Sequence, residues 1–132
     1  MNLEISSQEV SDVTILYLRG RATIGGGESE FLSSYLKKLL ASGVRKLVMD
    51  LKELSQVDSS GVGIIVGTCV SLRRQGGDLK LLCPHNKVRS VLTVFRLLDA
   101  IETFEDKAQA LASFRPGEYA APSQDDNAPP QT

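Results

Sequence analysis

The sequence predicts a single α/β domain: a mixed, mostly parallel sheet of four to five strands flanked by about four helices. Three observations carry this. β-Rich runs alternate with segments of helical periodicity, the order that favours parallel strands joined by right-handed crossovers. The run "RKLVMDL" is almost continuously apolar at its centre, as a strand is when both faces of its sheet are covered. At 132 residues the chain is long enough for one domain with a core and too short for two comfortable ones.

Each element has its own signal. Asn2 to Ser7 reads as a short strand, and "VTILYLRG" (Val13 to Gly20) as a β-rich strand ending at a glycine, near enough to pair as a hairpin. "ATIGGGESEF" reads as a loop, with Gly25, Gly26 and Gly27 free in their backbone dihedrals. Phe31, Leu32, Tyr35, Leu36, Leu39 and Leu40 then recur at helical spacing, with Lys37 and Lys38 toward the end and Gly43 as a cap. "RKLVMDL" (Arg45 to Leu51) is a strand and "KELSQVD" the turn after it. Val62 to Leu72 has the β-branched content of a strand but the length and punctuation of a helix. Ser59 or Ser60 would be its N-cap, Arg73 and Arg74 its last turn, and Gly76 its end. Gly63 and Gly67 share one face of that helix, a face bare enough for close packing or left exposed. "DLKLL" (Asp78 to Leu82) is another strand. "HNKVRSVLTVFRLLDA" puts Val88, Val91, Leu92, Phe95 and Leu98 on one helical face, "IETF" is a short edge strand, and "EDKAQALASF" a last helix. From Arg115 to Thr132 the composition changes: four of the five prolines and few large apolar side chains predict a disordered tail after a domain of residues 1–114.

Composition narrows the function classes. A formal charge of -1 points to neither nucleic acid nor an anionic membrane. Two cysteines without paired spacing suggest no disulfide framework, and Cys83 and His85 around Pro84 are too few ligands for a metal site. Cys69 falls within the apolar helix and reads as core. No Gly-Lys-Ser/Thr follows the three glycines, so a phosphate-cradling loop is not indicated. His85 is the sole histidine, and no spacing joins it to Ser59 in a hydrolase triad. No basic stretch followed by an apolar one opens the chain, and its longest apolar run is far short of a membrane span. A soluble cytoplasmic domain that uses no metal or cofactor is expected.

The stretch "VDSSGVGIIVGTCVSLRRQGG" places two serines at the mouth of a strand-to-helix turn, where unpaired amides attract anions. A hydroxyl there caps the helix or carries a phosphate. With its flanks, "LKELSQVDSSGVGIIVGTCVSLRRQGGDLKLL" resembles the central signature of STAS domains, specifically bacterial anti-sigma factor antagonists: Asp-Ser-Ser-Gly, an apolar glycine-spaced helix, then a Gly-Gly turn. The resemblance runs from about Val13 to Phe114, and "VRSVLTVFRLLDAIETFED" is similar to the family's next elements.

That resemblance implies a non-enzymatic switch. The unphosphorylated protein binds an anti-sigma factor that is also a serine kinase and so frees a sigma factor. Phosphorylation at the first serine after the aspartate, Ser59, breaks the complex, and a serine phosphatase restores it. Ser60 is the alternative acceptor. Asp58, Ser59, Ser60, Gly61 and Val62 would contact the partner, together with Arg21 and Thr23 in a loop where the family is often acidic. No nucleic acid or membrane is implied, and a monomer or weak dimer is expected. Two other readings stand beside it: a STAS scaffold or transport-associated interaction module that is never phosphorylated, and a small enzyme holding a phosphorylated substrate at the helix terminus.

Overall fold

In the computed structural model, residues 2–114 are described; the segment 115–132, expected to be a disordered tail, lies outside the described residues. Strands β1 (Leu3–Val10) and β2 (Val13–Ala22) form the antiparallel hairpin, with Val10 opposite Val13 and Ser11 taking a positive φ of 57° in the turn. The chain then runs through α1 (Glu28–Ala41), β3 (Lys46–Val57), α2 (Ser59–Arg74), β4 (Asp78–Leu82), α3 (Asn86–Val94), α4 (Leu97–Ala100), β5 (Thr103–Phe104) and α5 (Lys107–Ala112). The sheet order is β1-β2-β3-β4-β5, and every pairing after the hairpin is parallel. This is the mixed, mostly parallel sheet that the sequence predicts, with five strands.

Alternation along the central strands divides the apolar side chains between two faces. Leu16, Leu18, Leu47, Met49, Leu79 and Leu81 join the main core with residues of α1, α2, α3 and α4. Ile15, Val48 and Leu82 belong to a smaller cluster closed by Ala110 and Phe114. Helices α1 and α2 end alike: the amide of Gly43 bonds Leu40 O and that of Val44 bonds Leu39 O, while Gly76 bonds Arg73 O and Gly77 bonds Leu72 O. Both are Schellman closures with glycine at positive φ, 104° and 83°.

Three expectations are corrected. The segment "KELSQVD" is not a turn up to Val57: β3 continues because β2 pairs with it as far as Ala22 opposite Val57. The register slips between Tyr17 and Arg19, and Leu51 and Leu54 both face the core, so Lys52 and Glu53 are both turned outward. Asp50 Oδ1 accepts the Lys52 amide across this irregularity at 2.9 Å. Second, the segment after Pro84 is two helices, making five in all among the described residues. Arg96 takes a left-handed φ of 60°, which ends α3 and leaves Phe95 exposed rather than on a core face. Third, α1 begins at Glu28, inside the predicted loop.

Candidate functional site

Strand β3 delivers buried Val57 to the end of the sheet, and the next residue turns the chain into α2. Asp58 is extended, with φ -114°, and its carboxylate caps the helix: Oδ1 accepts from the amides of Ser60 at 3.0 Å and Gly61 at 3.2 Å. The expectation of Ser59 or Ser60 as N-cap is therefore corrected. A carboxylate one residue earlier reaches both free amides, and the helix begins at Ser59.

That shift separates the two serines. Ser60 is half-buried; its hydroxyl donates to Asp58 Oδ1 and lies 2.8 Å from the Ser29 hydroxyl on α1. Ser59 is exposed, and its hydroxyl makes no hydrogen bond among the described residues. Gly61 is buried so tightly that an added Cβ would meet Val57 Cγ2 at 2.6 Å and Ala22 O at 2.7 Å. Val62 is in the core. Of the five α2-side positions assigned to a partner, Gly61 and Val62 are thus packed against the domain itself, because the helix must lie on β2 and β3.

The loop after β2 closes over the same point. The amide of Ile24 bonds Asp58 Oδ2 at 3.0 Å, so one carboxylate holds helix and loop together. Thr23 turns inward, its hydroxyl donating to Glu28 Oε1 at 3.1 Å. Arg21 is exposed, and its amide bonds Asn2 O at 2.7 Å. Burial works against the charge on Asp58, but bonds from the Ser60 hydroxyl and from the amides of Ile24, Gly61 and Ser60 outweigh it and hold the carboxyl below its ordinary value.

Glu28 and Ser29 are absent from the sequence-based site. Glu28 is fully buried (0% exposed), and accepts from the Asn2 amide at 3.0 Å and the Gly26 amide at 3.2 Å as well as from Thr23. The Asn2 amide, helped by Gly26 and Thr23, lowers its pKa against the opposing effect of burial. An acidic residue three positions after Gly25 was a helix-start signal; its burial was not visible from the sequence.

Gly63 and Gly67 do not serve close packing. Both are exposed, and a Cβ on either would meet nothing within 4 Å. They line a groove of about 400 Å³ between α1 and α2, with Ser33, Lys37 and Ser71. A second hollow, about 450 Å³, is bordered by Ile24, Glu30, Ser60 and Ile64. Ile24, Phe31, Val66 and Val70 are exposed apolar side chains of these two helices and the loop. Elsewhere, Cys69 is buried, and His85 Nε2 lies 2.5 Å from Lys52 O. No group of three or more potential metal ligands gathers among the described residues, and no described helix is long and apolar enough to cross a membrane.

The family described as the STAS domain matches residues 4–110. A Thermotoga maritima protein provisionally named an anti-sigma factor antagonist is 26% identical over 106 residues, 80% of this chain and 93% of that one. The crystal structure of a Thermotoga maritima protein, TM1081, likewise provisionally described, superposes with a TM-score of 0.78 at 24% identity, covering 84% of this chain and 94% of that one. The Bacillus cell fate determinant SpoIIAA in its phosphorylated form superposes with a TM-score of 0.66 at 21% identity, covering 85% and 100%.

Proposed function

The chain belongs to the STAS domain family, and we propose that it is an anti-sigma factor antagonist switched by phosphorylation of Ser59. Unphosphorylated, it binds an anti-sigma factor that is also a serine kinase, and a sigma factor is freed. Phosphate on Ser59 ends that binding, and a serine phosphatase resets it. The protein works in the cytoplasm as a monomer or weak dimer and catalyses nothing itself.

One observation carries the choice of residue. Ser59 presents an exposed hydroxyl at the first turn of α2 that bonds to none of the described residues, whereas the Ser60 hydroxyl is engaged by Asp58 and Ser29. A kinase reaches the first without breaking anything. The names of similar proteins support the reading, as does the existence of a phosphorylated form of SpoIIAA. The physics agrees with release: a phosphate adds about -1.5 to -2 charges at neutral pH beside a carboxylate already held ionised. Covering that pair with a partner would require desolvating both.

The test is incubation with ATP and each candidate anti-sigma factor kinase from the source organism, followed by tandem mass spectrometry. Phosphate on Ser59 is expected. Phosphate on Ser60 reassigns the switch. A kinase-type partner that binds without leaving phosphate favours the non-phosphorylated scaffold, and stabilisation by phosphorylated metabolites in a thermal-shift screen would favour the small-enzyme reading.

A further inference from the structure

The structure assigns Glu28 as a positioning residue that holds the β2–α1 loop, residues 23–27, in the shape in which a protein approaching Ser59 meets it. This deepens the phosphoswitch reading and rests on it for the kinase arm of the test alone.

The loop is fastened from two sides. From below, the buried Glu28 carboxylate takes the Thr23 hydroxyl and the Gly26 amide on Oε1 and the Asn2 amide on Oε2. From the side, Asp58 Oδ2 takes the amide of Ile24, which lies between those two anchors. The Ser29 amide adds a bond to Thr23 O at 3.0 Å. The carboxylate fills the space inside the turn, since a Cβ on Gly26 would lie 2.4 Å from Glu28 Oε2.

The result is a backbone tied by hydrogen bonds on two sides, with an exposed apolar side chain. Ile24 is 73% exposed, and its amide is bonded to the residue that precedes Ser59. Because Asp58 precedes Ser59 and holds the Ile24 amide, a protein covering the Ser59 hydroxyl meets this loop beside it. Binding to a preformed loop avoids the entropic cost of ordering it. Glu28 touches no partner itself, because it is buried; its effect passes through Thr23, Gly26 and Ile24. Without it three donors lose their acceptor at once, and the loop keeps only the Ile24–Asp58 bond and the backbone bonds from Ser29 to Thr23 O and from Gly27 to Ile24 O.

Amide hydrogen exchange of the intact chain is to be compared for wild type, Glu28→Gln, Glu28→Ala and Thr23→Val. Exchange at Ile24 and Gly26 is expected to rise about tenfold or more in Glu28→Ala, with the central amides of β3 unchanged, because opening stays local. Glu28→Gln keeps the volume and one acceptor oxygen, and Thr23→Val removes one donor; both give smaller rises in the same amides. If Glu28→Ala does not fold, these two decide. In the kinase arm, using the kinase that labels Ser59, KM rises about fivefold or more in Glu28→Ala while kcat stays within about twofold, and Glu28→Gln recovers part of the loss. Exchange at Ile24 that is unchanged in all three variants overturns the assignment. Faster exchange with unmoved KM overturns the recognition role while leaving Ser59 phosphorylation intact. Wild type that takes no phosphate on Ser59 overturns the phosphoswitch reading itself, and the exchange arm still decides whether Glu28 holds the loop.

Discussion

The Asp58 carboxylate and the Ile24 amide, 34 positions apart in sequence, are joined at 3.0 Å, so the residue that caps α2 also anchors the loop after β2. The two oxygens divide the work, Oδ1 for the helix and Oδ2 for the loop. Stability and site geometry therefore depend on one side chain.

Asp58→Ala is expected to lower stability by about 1–3 kcal/mol, the loss of a cap together with a stranded loop amide. Ser59→Ala is expected to change it by no more than about 0.5 kcal/mol, since Ser59 follows the cap and its hydroxyl bonds to nothing described. Urea midpoints of the two variants check the order. Equal losses would mean that the capping role is shared.

Ser59→Asp is expected to weaken binding to the anti-sigma partner by about 1–3 kcal/mol, roughly five- to over a hundredfold, while Ser59→Ala keeps it. A carboxylate carries less charge and fewer acceptor oxygens than a phosphate, so the mimic is partial. The α2 N-terminus stabilises the added anion in the free protein, but a partner that covers it must strip its water beside Asp58. Calorimetry with both variants decides it; equal affinities would place the switchable surface elsewhere.

The glycines of α2 separate by what surrounds them. Gly61→Ala pushes a methyl against Val57 and the Ala22 carbonyl and is expected to cost about 1–3 kcal/mol. Gly67→Ala meets nothing within 4 Å and is expected to stabilise by about 0.4–1 kcal/mol, through reduced freedom of the unfolded chain. Thermal denaturation of both variants reads the opposite signs. If a partner seats itself in the α1–α2 groove, Gly67→Ala also weakens binding while raising the melting temperature.

Acid should act through Glu28 and Asp58. Both carboxyls are held below their ordinary values of 4.5 and 3.8. Depressed folded-state values mean that the unfolded chain binds protons first. The stabilisation is full above those ordinary values and is lost as pH falls through the lower folded ones. Urea midpoints measured from about pH 6 down to about pH 3 should fall more steeply in wild type than in Glu28→Gln, which has no proton to take up there. Parallel curves would show that Glu28 titrates alike in both states.

The layout of strands and helices is legible in local sequence signals. "DLKLL" became β4 residue for residue, and the last helix and the two-residue edge strand stand where periodicity and punctuation put them, because those signals are local. Asp-Ser-Ser-Gly likewise located the start of α2 to within two residues. Tertiary structure decided the rest, because it depends on what comes to lie beside each residue. Pairing with β2 carries β3 through six of the seven residues that read as a turn, Lys52 to Val57. A left-handed Arg96 split a helix whose apolar spacing was continuous. Two adjacent serines with the same local propensity became one tethered hydroxyl and one that bonds to none of the described residues, because Asp58 takes the helix amides and Ser29 reaches across from α1. Glu28 reads as a loop residue in the sequence, and its role as the buried anchor of that loop exists only where Asn2, Thr23 and Gly26 converge on it.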